Sequence, residues 1–138
     1  ILVISNTLVI DRNNKICGKI NRYTKNMIGF HSFNHPGWFM TKEAYNLAGP
    51  YLTELKISSD FEYFMRIKKL KININYFDEA LTCFRKGGKS SIDLVGPIEV
   101  LIIHFKYKRY FTGLFVFVQH IFLRILQIIY RYYRYLIR

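Results

Sequence analysis

The carboxylates near the middle of the chain are the residues best placed for acid–base chemistry. Asp60 and Glu62 follow Ser58 and Ser59, either of which can cap a helix that begins there. A general base needs a side chain that is rigidly aimed and reachable from solvent, and the first turn of a helix provides both. Carboxylates also complement the dipole of a helix N-terminus, so a purely structural role is the alternative.

A second group of candidates lies in an aperiodic loop before this helix. His31 and His35 flank Ser-Phe-Asn, and Trp38 follows them. Such residues can line a polar ligand pocket with an aromatic floor. No Asp, Glu or Cys lies near them at metal-site spacing, and a loop does not bring two histidines to one ion as a helix does. The sequence therefore favours a pocket over a metal centre.

A glycine-bearing loop further along could bind phosphate. It consists of Arg85, Lys86, Gly87, Gly88, Lys89 and Ser90. Its flexible backbone, exposed amide groups and three cations suit a phosphate or a phosphorylated sugar. The loop does not match the GxxxxGK[ST] pattern of a nucleotide-binding P-loop.

The strand patterns predict a sheet that carries these candidates. Apolar or alternating residues indicate strands over 1–10, 16–20, 72–76 and 80–85. The first is apolar at nearly every position, as expected of a strand covered on both faces. Asp78 and Glu79 are expected to form the solvated turn between the last two strands.

Two helices are expected between these strands, which makes the fold α/β with a mixed sheet. Thr41 is a suitable N-cap for a short helix, and Gly49-Pro50 would end it. In the helix that begins at Ser58 or Ser59, one face carries the apolar side chains of Phe61, Phe64 and Ile67.

The composition indicates a folded chain with an uneven charge. The 138 residues are 51% hydrophobic and 17% aromatic, which supports a core and argues against disorder. The net charge is +12, but residues 100–138 hold seven of the basic residues and none of the acidic ones. Cys17 and Cys83 fit neither a zinc spacing nor a disulfide scaffold, which favours a reducing compartment.

The C-terminal segment predicts an amphipathic helix at a membrane surface. Polar residues recur at helical steps through an apolar stretch and include four arginines, Arg124, Arg131, Arg134 and Arg138. Each arginine would cost about 2.5–3.5 kcal/mol at the centre of a spanning helix. On the membrane surface each would instead gain about 1 kcal/mol from anionic lipid. A core helix packed on the domain or on a partner is the alternative.

Four blocks of sequence together resemble a known family. They lie at 35–42 (HPGWFMTK), 45–51 (YNLAGPY), 58–67 (SSDFEYFMRI) and 81–90 (LTCFRKGGKS). Their order and spacing resemble the second half of a family 2 glycosyltransferase of the bacterial cell-surface polysaccharide type. The resemblance covers roughly residues 1–95.

This resemblance implies the C-terminal, acceptor-side half of a GT-A fold, with Asp60 as the catalytic base of an inverting sugar transfer. His35 and Trp38 would lie on the acceptor-side loop, and the loop from Arg85 to Ser90 would approach donor phosphates or acceptor. Arg66 would orient that end of the site or pair with Glu62.

Two departures from the family bear on what the chain can do. Ser59 stands where the family often has Glu, and no DxD motif occurs in the 138 residues. In the family that motif holds a divalent cation, Mg²⁺ or Mn²⁺, in the nucleotide-binding half. Since the sequence also opens in an apolar strand, we expect a fragment that does not bind a sugar nucleotide alone.

The sequence therefore predicts two regions and one leading function. Residues 1–95 would be the acceptor-side half, and residues 96–138 a basic, membrane-interfacial helical tail. The function would be transfer of a sugar from a nucleotide-sugar donor to a cell-surface glycan or lipid-linked acceptor, at the cytoplasmic face of the plasma membrane. The alternative is a non-enzymatic basic module that binds a membrane surface or a partner. Nucleic acid is not an expected partner, because no recognition motif for it is present.

Overall fold

A computed structural model describes residues 1–21, 34–85 and 95–136. The described residues form a mixed α/β structure, the class that the sequence predicts. Its elements are the strands β1 (Leu2–Ile10), β2 (Ile16–Ile20), β3 (Trp38–Met40) and β4 (Ile74–Arg85), and the helices α1 (Lys42–Ala48), α2 (Ser59–Lys69), α3 (Val95–Lys106) and α4 (Tyr110–Leu136). One turn of 3-10 helix, His35–Gly37, leads into β3.

The sheet is built around β1. β4 pairs with it in parallel along its whole length, from Leu2 opposite Ile74 to Ile10 opposite Arg85. The other edge of β1 is shared by two antiparallel strands, since β3 pairs with its first residues and β2 with its last. Most of β1 is buried, including the polar Ser5, Asn6 and Thr7 in its middle, as expected of a strand covered on both faces.

The predicted turn at Asp78 and Glu79 is wrong, because both residues lie inside the continuous strand β4. The register to β1 shifts on either side of Asn6, so this part of β4 is a bulge that accommodates the extra residues. The Asn6 side-chain amide donates to the main-chain oxygen of Asp78 at 2.9 Å and to its carboxylate at 3.0 Å. Asp78 thus bonds across the sheet, where the sequence pattern indicated a turn.

The core lies between the sheet and α2. The apolar face predicted for this helix is confirmed, since Phe61, Phe64 and Ile67 are fully buried beside Leu2 and Ile4 of β1. Helices α3 and α4 complete the same cluster through Val100, Ile103 and Val116. A helix from the segment predicted as the tail therefore packs against the helix that carries Asp60.

The predicted start of α1 is confirmed, whereas α2 begins differently from the expectation. The Thr41 hydroxyl accepts a hydrogen bond from the Ala44 amide at 3.3 Å, and α1 ends before Gly49. Ser58 occupies the N-cap position of α2, but its hydroxyl donates to the Gly96 carbonyl at 3.3 Å instead of capping the helix. The beginning of α2 is therefore tied to α3.

Both α2 and α3 end in a Schellman motif with lysine at the left-handed position. Lys71 has φ 55° and Lys108 has φ 56°. After each helix, two amides donate to carbonyls of its last turn, as in Lys108 to Phe105 at 2.9 Å and Arg109 to His104 at 2.8 Å. Glycine is the usual residue at this position, because a side chain there costs stability.

Helix α4 runs for 27 residues, about 40 Å, and most of it extends beyond the core. Its apolar side chains are largely exposed, among them Phe111 at 90%. By length and composition alone, Tyr110–Tyr135 could cross a membrane. In the predicted cationic stripe, Arg124 is half-buried and Arg134 is exposed. Arg138 and the side chain of Arg131 lie outside the described part of the chain.

Candidate active site

Asp60 occupies the first turn of α2 and is half-buried. Its carboxylate accepts a hydrogen bond from the Phe61 amide at 2.7 Å. Burial raises the pKa of Asp60, and the nearby His35 and the Phe61 amide oppose this rise without cancelling it. A carboxyl group whose pKa lies above its usual range holds a transferred proton more readily than an ordinary aspartate does.

His35 approaches this carboxylate from the 3-10 turn, 25 positions earlier in the sequence. Its Nε2 atom lies 3.1 Å from the Tyr51 hydroxyl, and its ring meets the edge of Trp38 at 4.9 Å. Burial lowers the pKa of His35 below 6.5, although the charge of Asp60 opposes the shift. The imidazole is therefore neutral at pH 7 and can exchange hydrogen bonds with a polar ligand.

The turn that carries His35 is fixed to β1 by close backbone contact. A Cβ atom on Gly37 would lie 2.4 Å from the Ser5 carbonyl oxygen, so this position has no room for a side chain. The Asn34 side-chain amide donates to the Ser5 carbonyl at 2.7 Å and to the Thr7 hydroxyl at 2.8 Å. These contacts hold the His-Pro-Gly-Trp segment in one position relative to α2.

Aromatic rings form one side of the site. Tyr51 stacks on Tyr63 with ring centres 4.1 Å apart, and Trp38 lies 5.4 Å from Phe64. Burial, assisted by Tyr63 and Asp60, raises the pKa of Tyr51 to about 12, so its hydroxyl stays protonated at neutral pH. Tyr51 lies within a sequence block used for the resemblance but was not itself a predicted site residue.

Glu62 and Arg66 form an ion pair in the interior, one of the two roles expected for Arg66. Arg66 also donates to the carbonyl oxygens of Ala48 and Pro50, at 2.8 and 2.7 Å, and so ties α2 to the end of α1. Glu62 accepts further hydrogen bonds from Lys106 and Tyr107 of the α3 end, at 2.9 and 3.0 Å.

The environment of Glu62 keeps it charged. Burial alone would raise its pKa, but the hydrogen bonds from Arg66, Lys106 and Tyr107 outweigh this effect and lower it. Its two carboxylate oxygens are both engaged by these partners. Glu62 therefore joins α2 to the end of α3, in contrast to the half-buried carboxylate of Asp60.

Glu99 of α3 is a residue that the sequence analysis missed. It is buried, and its carboxylate accepts hydrogen bonds from the amides of Lys56, Ile57 and Ser58, at 2.7, 3.0 and 2.7 Å. These amides belong to the segment that immediately precedes α2, so Glu99 fixes the backbone that leads to Asp60. The available signal was a single acidic residue within the apolar stretch 95–103.

The predicted phosphate loop is described only at its first residue. The Arg85 guanidinium donates to oxygen atoms of the turn between β1 and β2, those of Asp11, Arg12 and Asn14. Arg85 pairs with Ile10 of β1, whereas Trp38, close to His35, pairs with Ile4 of the same strand. Arg85 and Trp38 therefore lie about 20 Å apart along β1. The structure therefore does not bring Arg85 to Asp60. His31 and the loop residues Gly87, Gly88, Lys89 and Ser90 lie outside the described residues.

Among the described residues, those around Asp60 do not include a set of metal ligands. Within 1–21, 34–85 and 95–136, no three side chains of His, Cys, Asp or Glu come together as ligands would. Glu99 and Glu62 are engaged by amides and cations, whereas the charge of Asp60 acts on His35 and Tyr51. The divalent cation expected from the resemblance thus finds no donor set among these residues and stays a prediction.

Comparisons with other proteins do not identify a family for this chain. No protein-family model, no curated protein and no solved structure matches it. The geometry of the site and the four sequence blocks are therefore the basis for assigning a function.

Proposed function

We propose that this chain is the acceptor-side part of an inverting family 2 glycosyltransferase with a GT-A fold, and that Asp60 is its general base. The observation that carries the proposal is the half-buried Asp60 carboxylate, which has a raised pKa and lies beside His35 at the start of a rigid helix. These features match the role that the resemblance gives to the aspartate of the third block.

The chemistry follows from the position of this carboxylate. Asp60 accepts the proton of an acceptor hydroxyl as its oxygen attacks the anomeric carbon of the donor sugar. The bond from that carbon to the nucleotide phosphate breaks, the phosphate leaves with the electron pair, and the configuration inverts. Neutral His35 exchanges hydrogen bonds with the acceptor, and Trp38 and Tyr51 offer apolar ring surfaces to its sugar. In this proposal, residues other than those named here would hold the divalent cation and the nucleotide.

Helix α4 supports a location at the cytoplasmic face of the plasma membrane. Its exposed apolar side chains would be covered by lipid, while Arg124 and Arg134 would meet anionic headgroups. The absence of acidic residues after Glu99 means that nothing in this segment repels such a surface. A lipid-linked or cell-surface glycan acceptor fits this location.

The test is the Asp60→Asn substitution in the full-length enzyme. The variant retains the shape of the side chain but cannot accept the proton, so we expect the transfer rate to fall by about 10²- to 10⁴-fold. Binding of the nucleotide sugar should be unchanged. Glu43→Gln is the matched control, because Glu43 is an exposed carboxylate in the first turn of α1. Transfer by Asp60→Asn at a near-normal rate would refute the assignment.

A non-enzymatic membrane-binding module is the second candidate, and the exposed apolar surface of α4 favours it. In that case Asp60 would serve only the helix N-terminus, and vesicle binding would be the whole function. Co-sedimentation with anionic and neutral vesicles at low and high salt measures this binding. The two candidates differ in transfer activity, which only the enzyme has.

A further inference from the structure

A cationic cleft of about 490 Å³ lies where the C-terminal ends of α2 and α3 meet. Met65 and the Tyr107 ring form its apolar lining. The rest of its lining is basic, namely Lys68, Lys69, Lys106, Lys108 and Arg109. None of its lining residues is shared with the site around Asp60, so the cleft requires its own explanation.

The charged side chains that line the cleft are all basic. Two ammonium groups lie near the Tyr107 ring, with Lys69 Nζ at 6.0 Å and Lys106 Nζ at 5.9 Å from its centre. Glu62, behind the cleft, pairs with Lys106. Each helix C-terminus contributes about half a negative charge. Although Glu62 and the helix ends contribute negative charge nearby, the lining itself holds five cationic side chains and no acidic one, which suits a multiply charged anion.

Lys108 is held in this cleft at a conformational cost. It occupies the left-handed position after α3, where glycine would be more stable. Lys71 occupies the equivalent position after α2 and does not line the cleft. The two residues therefore share a backbone strain but differ in whether they face the cleft, which provides a matched pair for an experiment.

The cleft lies beside the start of α4. Arg109 lines it, α4 begins at the next residue, and the Phe111 side chain is 90% exposed. We propose that the cleft binds the phosphate group of an anionic lipid headgroup while the apolar side chains of α4 enter the membrane. This inference rests on the membrane location in the proposed function, but not on the role of Asp60.

The test compares Lys108→Gly with Lys71→Gly in binding to phosphatidylcholine vesicles that contain phosphatidic acid. Removing one lysine from a lipid-phosphate contact should weaken binding about fivefold, which corresponds to about 1 kcal/mol. We expect this loss for Lys108→Gly, whereas Lys71→Gly should bind like the wild type. Both substitutions relieve the same left-handed strain, so both should raise the unfolding midpoint, which shows that the variants fold.

The outcomes separate the possible ligands. Equal binding by both variants, or an equal loss in both, would overturn the proposal. A second arm measures binding of inorganic pyrophosphate by NMR titration without vesicles. Saturable pyrophosphate binding that depends on Lys108, combined with vesicle binding that does not, would assign the cleft to a soluble phosphate and overturn the lipid. The transfer rate of Asp60→Asn tests the proposed chemistry, so that chemistry and the cleft can fail separately.

Discussion

The substitution Glu99→Gln tests whether a carboxylate from α3 fixes the backbone before Asp60. Wild-type Glu99 accepts three amide hydrogen bonds, each worth about 1.5–3 kcal/mol when the acceptor is charged. Glutamine can keep its carbonyl oxygen on the amides of Ile57 and Ser58. Its NH₂ group then faces the Lys56 amide, and that hydrogen bond is lost. The two remaining bonds weaken because their acceptor is neutral.

We therefore expect Glu99→Gln to lower the free energy of unfolding by about 3 kcal/mol, a large part of the 5–15 kcal/mol of an ordinary domain. Urea denaturation can be followed through Trp38, the single tryptophan of the chain. Glu54→Gln is the control, because Glu54 is exposed just before the segment that Glu99 holds. It should change stability by less than about 0.5 kcal/mol.

A second measurement separates positioning from simple stability. The charge of Glu99 contributes to the raised pKa of Asp60, so removing it should lower that pKa. The acid limb of the pH–rate profile should move to lower pH in Glu99→Gln and stay in place in Glu54→Gln. Equal unfolding free energies for the two variants, or an unmoved acid limb, would refute this account of Glu99.

Three further predictions concern the interior. Glu62→Gln should lower the free energy of unfolding by about 3 kcal/mol at pH 7. The difference in unfolding free energy between this variant and the wild type should shrink below pH 4.5, because protonation of Glu62 removes the stabilisation that its lowered pKa reflects. Burial lowers the pKa of His104 to about 4. As the pH falls from 6.5 to 4, the wild type should therefore lose stability, because only the unfolded chain readily protonates this residue. His104→Leu should lose less stability over the same range. Gly37→Ala, with its Cβ 2.4 Å from the Ser5 carbonyl, should cost about 1–3 kcal/mol and shift the fluorescence of Trp38. Urea titrations at several pH values measure all three, and pH-independent differences for Glu62 or His104 would contradict the electrostatic reasoning.

The elements with local signals were predictable from the sequence. The Thr41 cap and the spacing of Phe61, Phe64 and Ile67 specify α1 and α2 through contacts within one or two turns. The many apolar residues of β1 indicated a strand covered on both faces, and the structure buries most of its residues. Such patterns need no knowledge of the partner element, so the sequence alone was sufficient.

The errors and omissions concern residues whose partners are distant in sequence. Asp78 resembles a turn residue until Asn6, 72 positions away, is seen to donate to it. Glu99 appears only as a polar interruption of α3 until the amides of residues 56–58 are placed around it. The proximity of His35 to Asp60 depends on β3 and α2 meeting across the core. Periodicity does not encode that meeting, and only the resemblance suggested it.

Helices α2 and α3 connect the two sites proposed here. Asp60 lies at the start of α2 and Lys68 near its end, about 12 Å apart along the helix axis. Glu99 holds the first site and Lys106 lines the second, both from α3. Packing and the bonds of Glu62 join the two helices, so under both proposals a headgroup in the cleft would set the distance of Asp60 from the membrane. Under these proposals, a constant distance between Asp60 and the membrane would suit an acceptor that is itself anchored in the bilayer. The proposed arrangement therefore favours a lipid-linked acceptor over a soluble glycan.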